Sequence, residues 1–534
     1  MGKYRTLGTL FNRVFRNDLN QNFEDIDKDI QTQKKRVDDL ITKTPQPSEV
    51  VDARGGHPVL RDRLDSVDAQ LAEKAQVSAV TALDSKVTTD RKRNQQAIRR
   101  ELDSSGFQPY QLPAGFAWQS APIKLFTNGT KFTTDFDVSV FKNVSTNTYW
   151  VDPVNGLDTN AGTEVAPFKS LEKAYQTASS GDTIKMKPGI YYRDSSWQSI
   201  SVLQKSLNII GEGTVIIPLS DKHTYTKTAG QTNVYQTART NVAEVIDLTF
   251  DPVGYKYQKK NTLAECDALP GSYYTDATTL FIHSLDSNSP NPEKVLPLLS
   301  AQHFKVNNSL GNVKIYLENL TIFGGNNGNL WLDRINASNG LSVYAKNCDF
   351  LHSTGLNVDG DAVNIDGADE AFFQNCRALH SRKDGFNYTA YNSASALVTA
   401  PKFIEVDCVG AYNGIPNTLS PNTNNGSTAH AGAQGIRVNG QYYKNMGANV
   451  ADVQPGTESL NLGCIAFDSL TGLDDATNGD FVAQQSGAKM WVNACISFGS
   501  KYNLYAMSGT TMYVDNTQFD TKQGSGTFII TNQL

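Results

Sequence analysis

A short phrase returns at intervals through the C-terminal part of this 534-residue chain, and it narrows what the chain can fold into. The segments "IYLENLTIF", "VYAKNCDFL", "AFFQNCRAL", "FIEVDCVGA", "LNLGCIAF", "MWVNACISF" and "MYVDNTQF" align on Leu320, Cys348, Cys376, Cys408, Cys464, Cys495 and Thr517. The intervals are 28, 28, 32, 56, 31 and 22 residues. The interval of 56 spans about two repeats, so one rung lacks the phrase. Self-similarity at a roughly fixed period marks units that stack to bury a continuous core. A period near 28 is too long for hexapeptide coils and suits coils of three strands with loops. Leu, Cys and Thr sharing one register read as an inward row of small or apolar side chains, with cysteine acting as a small hydrophobe. Disulfides and zinc are the other uses of stacked cysteines. Cys348/His352 and Cys376/His380 repeat a Cys-x-x-x-His spacing, but the flanking rungs lack the histidine and no Cys-x-x-Cys occurs, so free thiols are expected.

Composition agrees with many short strands joined by tight turns: the chain has 41 Gly, 24 Phe and 22 Tyr. A net charge of -6 and a pI near 5.7 argue against a nucleic-acid binder. No window supplies the eighteen or so apolar residues of a membrane helix, and "MGKYRTLGTLFNRVF" lacks a signal peptide's apolar stretch. The Gly2 and Thr6 of a myristoylation pattern stand without a second membrane signal and are set aside.

Charge density divides the chain. Residues 1–102 hold 35 of its 102 charged residues. Within residues 1–104, Leu19, Phe23, Ile26, Ile30, Val37 and Leu40 follow alternating four- and three-residue steps, with Gln33 in one core slot, which predicts a coiled-coil seam. "TPQPSEVVDARGG" breaks it, and Leu60, Leu64, Val67 and Leu71 begin a second seam. Two helices of one chain packing together is the other reading of these heptads. Residues 105–145 read as a connector containing the alternating strand "KFTTDFDVSVF", and residues 146–534 as the repeat domain. Pro167 fits the first turn of a short helix whose Phe168, Leu171, Tyr175 and Ala178 line one face, a cap on the strand ladder that follows.

The segments "DPVNGLD", "PFKSLEKA" and "GDTIKMKPGIYY" resemble the opening of a right-handed parallel β-helix of the pectate-lyase-like superfamily. That resemblance implies a mainly β fold of three-strand coils and says little about activity, since the superfamily includes lyases, hydrolases, isomerases and phage tailspikes. The first segment, "YRTLGTLFNRVFRNDLNQNFEDIDKDIQTQKKRVDDLI" with "PSEVVDARGG", resembles the attachment ends of tail and pre-neck appendage proteins from phages of Gram-positive bacteria. It implies a virion-located homotrimer, attached to other tail or neck proteins through residues 1–104, that meets a wall teichoic acid or polysaccharide. Neither nucleic acid nor membrane insertion is expected. Many such appendages end in a self-cleaving chaperone module, which "GTFIITNQL" does not resemble.

The cysteine register also orders the acidic residues. "DAVNI", "DGFNY", "QGIRV" and "NLYAM" each follow a variable turn, which predicts Asp361 and Asp384 on neighbouring rungs and Asn364, Asn387 and Arg437 in one row. Two carboxylates at a rung spacing of about 4.8 Å cannot both ionise freely, and hydrolases use such pairs. Asp361, Asp384 and the nearby Asp359 are the catalytic candidates. Lys383, Arg382, Arg437, Asn364, Asn387, His430 and Tyr442 are the substrate-binding candidates. Asp366, Asp369 and Glu370 read as solvated turn residues. "NVD" and "HAGAQGIR" faintly resemble polygalacturonase motifs, although the paired D-D and the G-H-G are missing, which weakens the transfer to His430 and Arg437. Asp and Asn ladders also form in β-helix turns without catalysis. The polar stretch 413–435 reads as a loop over a sugar groove, with Tyr412, Tyr442, Tyr443 and Trp491 available to stack on rings. No cofactor is required; acidic turns could hold a structural calcium, but no fixed-spacing loop signals it. The expected activity is hydrolysis of a surface glycopolymer, with a non-catalytic binding spike and a polysaccharide lyase as alternatives.

Overall fold

The recurring phrase is a corner. Asn319, Asn347, Asn375, Asp407, Asn439 and Asn516 take φ values between 43° and 57°, a left-handed conformation that Asn and Asp tolerate best among residues with a side chain. Each reverses the chain between two strands and points the next residue inward. Their amides stack along the axis: Asn347 Nδ2 donates to Asn319 Oδ1 at 3.0 Å, and Asn375 Nδ2 to Asn347 Oδ1 at 2.6 Å. The computed structural model describes residues 24–36, 106–193, 202–355, 360–392, 398–414, 424–470 and 479–534.

Three parallel sheets of twelve, ten and nine strands run the length of residues 148–530. One coil visits all three: Leu341–Lys346 lies in the twelve-stranded sheet, Asp349–Leu351 in the nine-stranded sheet and Asp361–Asp366 in the ten-stranded sheet. Residues 148–530 therefore form a parallel β-helix, and its interior holds Ile315, Leu330, Val343, Val363, Phe373 and Phe386 with Cys348, Cys376 and Cys408. All six cysteines are free and buried.

The rung without a phrase is at Gly440. Cys408 O accepts from Gln441 N and Gly440 O accepts from Ile465 N, both at 2.9 Å, which puts Gly440 in the cysteine register. A Cβ there would lie 2.4 Å from Tyr442 Oη. Glycine replaces cysteine at this corner because the Tyr442 ring fills the space.

The helix Leu171–Thr177 caps the first coil, with Phe168, Leu171, Tyr175 and Ala178 buried. It begins later than the Pro167 signal suggests. Ser170 Oγ accepts from Lys173 N at 3.1 Å and supplies the N-cap, while Phe168 bridges to Val151.

Two other segments clothe the coil. Residues 106–145 run along the outer face of the twelve-stranded sheet, packing Phe116, Trp118, Phe136 and Val138 on Trp491, Phe372 and Tyr344. Gln374 fixes the path, accepting from Val138 N at 3.0 Å and donating to Phe136 O at 2.8 Å. Residues 220–300, read from the sequence as coil, instead form an antiparallel three-stranded sheet (Val242–Asp247, Tyr255–Lys256, Val295–Leu299), a five-stranded sheet and the helix Leu263–Ala268. Ile246, Leu248, Leu296 and Leu298 of this module cover Phe323, Leu351, Leu379 and Ala411 on the nine-stranded sheet. Period reasoning missed it because the phrase begins only at Leu320.

The chain divides into compact units at Met1–Arg99 and Arg100–Leu534. In the first, residues 24–36 are helical, with Ile26 and Ile30 exposed. Gln33 of the same helix is also exposed, and the remaining seam residues, Leu19, Phe23 and those from Val37 to Leu71, lie outside the described residues, as does Asp359.

Candidate functional site: the corner ladder and the outward sheet face

Asp361 and Asp384 are brought together on adjacent coils. The strand Asp361–Asp366 pairs with Phe386–Thr389 in the register Val363↔Phe386, which aligns the two aspartates two residues earlier. Both are buried. Asp361 Oδ1 accepts from Asp384 N at 2.9 Å, Asp384 Oδ1 from Asn425 N at 2.6 Å, and Asn425 Oδ1 from Ala448 N at 2.7 Å. Each side chain thus caps the backbone of the next coil. Burial, then the neighbouring Asp361 carboxylate, push the Asp384 carboxyl well above its ordinary range. The corner continues through Asn413, Asn445, Asn449 and Asp480; the Asp480 carboxylate accepts from Asn449, Ser497, Ser500 and Asn503. Burial pushes Asp480 up to about 6.

Asn364 and Asn387 are register partners on the outer face of the ten-stranded sheet. Arg437 is not in their row. Its strand, Gln434–Val438, belongs to the twelve-stranded sheet, between Lys402–Val406 and Glu458–Leu462. The strand that takes the expected place is Ser427–His430, inside the stretch read as a loop. "STAH" looks like a loop because its inward slots hold a serine and an alanine rather than large apolar residues. Those slots are small for a reason: Arg437, fully buried, occupies the interior beside Glu405 at 3.5 Å and Asp452 at 3.6 Å. Ser427 Oγ donates to Glu405 and accepts from Arg437 Nε, Tyr442 Oη donates to Glu405 at 2.6 Å, and Ser459 Oγ to Asp452 at 2.6 Å. Arg437 and Tyr442 therefore line no groove. A clue was present, since Glu405 and Arg437 stand opposite each other once the phrases are aligned across the missing rung.

Arg382 and Lys383 sit on the turn before Asp384. The Arg382 guanidinium lies 3.6 Å from the buried Glu244 of the inserted module, whose Oε1 also takes Lys256 Nζ at 2.5 Å. Arg382 thus ties the module to the coil. His430 is half-buried at the outer end of its strand. Asp369 pairs with the buried Arg334 at 2.6 Å and Glu370 accepts from Tyr344 Oη, so neither is a merely solvated turn residue. His352 and His380 stack, with ring centroids 4.9 Å apart, and His380 stacks on Tyr412. No group of three or more metal-ligating side chains occurs among the described residues. Trp491 is covered by Phe116, Tyr443 packs against the cluster formed with the inserted module, and Tyr412 is exposed beside Tyr443.

One constellation carried no sequence signal. On the outer face of the ten-stranded sheet, Asp333 and Asp366 are register partners on adjacent strands. Lys305 Nζ is 2.7 Å from Asp333 and 3.9 Å from the centroid of the Trp331 ring. Asp333 falls between the repeats of the cysteine phrase, where sequence alignment has no anchor.

Residues 154–239 match a family described as a protein of unknown function, DUF1565. No curated protein matches the chain. Similar solved structures include one described as a glycoside hydrolase, with TM-score 0.47, 10% identity, and coverage of 72% of this chain and 96% of that one. A pectate lyase gives TM-score 0.35 and 16% identity over 72% and 81% of the two chains. Geobacillus virus E2 ORF18 gives TM-score 0.25 and 8% identity over 81% and 71%. The β-helix assignment rests on the strand pairing itself.

Proposed function

We propose that this chain is a phage virion appendage that adsorbs to a glycopolymer of the host surface, as a homotrimer attached through residues 1–104, and that Asp361 and Asp384 serve its architecture. The observation that carries the second half is the corner ladder: both carboxylates are buried and each accepts a backbone N–H from the following coil. A general acid must reach the leaving oxygen within hydrogen-bond distance, and these carboxylates are taken up by backbone N–H groups of the coil and, at Asp361 Oδ2, by Asn387 Nδ2 at 3.0 Å. The adsorption half is supported by the resemblance of residues 1–60 to appendage attachment ends. It also fits a stacked coil, whose long sheets offer an extended face to a chain-like polymer.

A second reading keeps Asp384 as the acid of a hydrolase, favoured by the upward push of burial on its carboxyl, which then holds its proton more tightly than an exposed aspartate. Purified Gram-positive cell walls separate the two. The first expects the full chain to sediment with walls and Asp384→Asn to behave as the wild type. Release of repeat units or glycerol phosphate by the wild type, abolished by Asp384→Asn with wall binding kept, would establish the second. A chain that fails to sediment with any wall preparation removes the adsorption reading.

A further inference from the structure

We infer that the downstream end of the nine-stranded sheet's outer face is where the repeat domains of neighbouring copies of this chain meet; the inference rests on the homotrimer of the reading above. One column of outward side chains runs along this face: Phe323, Leu351, Leu379, Ala411, Tyr443, Phe467 and Phe498 are successive register partners. The inserted module covers the first four, and Tyr443 packs at the border of that cluster. Beyond it, Phe467 is half-buried and Phe498 is 42% exposed. The neighbouring column continues in the same way through Gln441, Ile465 and Ile496, the last 38% exposed. An apolar face that protein closes over its upstream half thus continues past the module's edge, uncovered among the described residues.

The side chains decide what fits there. Further up the second column the same position holds Asp349 and Arg377, paired at 2.7 Å, whereas none of Gln441, Tyr443, Ile465, Phe467, Ile496 and Phe498 is charged. Aromatic residues without charge mark the centre of protein interfaces. A sugar would need the flat face of an aromatic ring. Tyr443 stacks on Phe467 with centroids 4.7 Å apart and planes 6° from parallel, and Phe467 on Phe498 at 4.9 Å and 3°. The ring faces are taken up by one another, and only Phe498, last in the stack, keeps one. Ring edges remain, and the apolar side chains of another protein pack against those.

The first unit favours a second copy as that protein. In the helix of residues 24–36, Ile26 and Ile30 are exposed four residues apart on one side, and both belong to the heptad seam. In the homotrimer the same helix of the other copies closes this seam. Copies joined there hold their repeat domains at an effective concentration of roughly millimolar for a short flexible tether, so a small patch suffices to bring them together. The column also runs along the coil axis with one residue per coil, so coils standing side by side can meet along it.

The test follows the mass of the full-length chain by equilibrium sedimentation over a dilution series. Wild type should sediment as a trimer of the 58.4 kDa chain. The double variant Ile496→Asp with Phe498→Asp should raise the concentration at which half the trimer dissociates at least 10-fold, with an unchanged circular dichroism spectrum. Phe498→Cys, which adds one exposed thiol to six buried ones, should give a reducible dimer on mild oxidation, as should Ile30→Cys in the seam. Cross-linking by Ile30→Cys but not by Phe498→Cys overturns the contact and leaves the homotrimer standing. A double variant that stays trimeric but no longer sediments with cell walls also overturns it, and gives the face to the polymer. A wild type that is monomeric throughout the series defeats the homotrimer first.

Discussion

The coils bearing Cys348, Cys376 and Cys408 and the coil bearing Arg437 fill the same interior in opposite ways. In the first group, burial pushes the Cys348 and Cys376 thiols well above their ordinary range, so the sulfurs stay neutral and pack as apolar atoms. In the second, an arginine and two carboxylates share the core with Ser427, Ser459 and Tyr442. A thiol stack tolerates the loss of a member, because each sulfur needs only neighbours of the right size. An ion network does not, because each charge is stranded when its partner goes.

The sharpest way to break this contrast is Arg437→Met. It leaves Glu405 and Asp452 buried without their cation and should cost about 3–5 kcal/mol in chemical denaturation. Cys376→Ala, which deletes one sulfur, should cost about 1 kcal/mol, on the scale of removing a buried methyl-sized group. Equal costs for the two would show that the interior treats charge and size alike, and would refute the comparison.

A second test uses pH. Burial raises the Asp452 and Asp480 carboxyls to about 6, above the 3.8 of an exposed aspartate. The folded state therefore holds these protons more tightly than the unfolded state. The stability they contribute is fully present below about pH 4 and is lost as pH rises through 6. His380, depressed to about 4 chiefly by burial, has the opposite sign: its contribution is present above the ordinary histidine range and is lost as pH falls towards 4. The two windows overlap, so differences against the wild type are the useful quantity. The stability of Asp480→Asn relative to wild type should rise by about 3 kcal/mol between pH 4 and pH 7. A gap that does not change with pH would mean that Asp480 is ionised in the fold throughout.

The missing rung gives a third test, at the boundary between the two kinds of coil. Gly440→Ala would drive a methyl into Tyr442 Oη, which is bonded to Glu405, and should cost about 1–3 kcal/mol. The double variant Gly440→Ala with Tyr442→Leu should recover part of that loss, since the clash disappears with the ring. Additive losses would separate Gly440 from Tyr442 and remove the reason given for the glycine.

How far these features could be read from residue letters follows from how each is built. The corner phrase is legible because a left-handed Asn and an inward small residue recur at one register, from Asn319 to Asn516, and the Asp361–Asp384 alignment follows from it. Arg437 went astray by one strand. The polar run "STAH" hides a strand whose inward residues are small so that a guanidinium can fit, and no hydrophobic period marks it. The module at 220–300 was invisible for the converse reason: its strands pair with one another, mostly antiparallel, and carry no repeat. Asp333 lies on an outward strand, where side chains are free to vary and no phrase anchors them. Ladders that build the coil repeat and can be aligned; surfaces that meet a partner need not repeat.

The smallest expected effect is at the corner itself. If Asp384 is a protonated ladder residue, an amide of the same shape presents the same acceptor to Asn425 N, and Asp384→Asn should change stability by less than about 1 kcal/mol near neutral pH. Asp384→Ala removes the acceptor from a buried N–H and should cost about 1–3 kcal/mol. The pair of values is diagnostic when measured alongside wall binding. A ladder residue gives a small cost, then a larger one, with binding unchanged in both. A carboxylate needed in its ionised form gives a large cost already at the asparagine, and that result would move Asp384 from the coil's architecture into its chemistry.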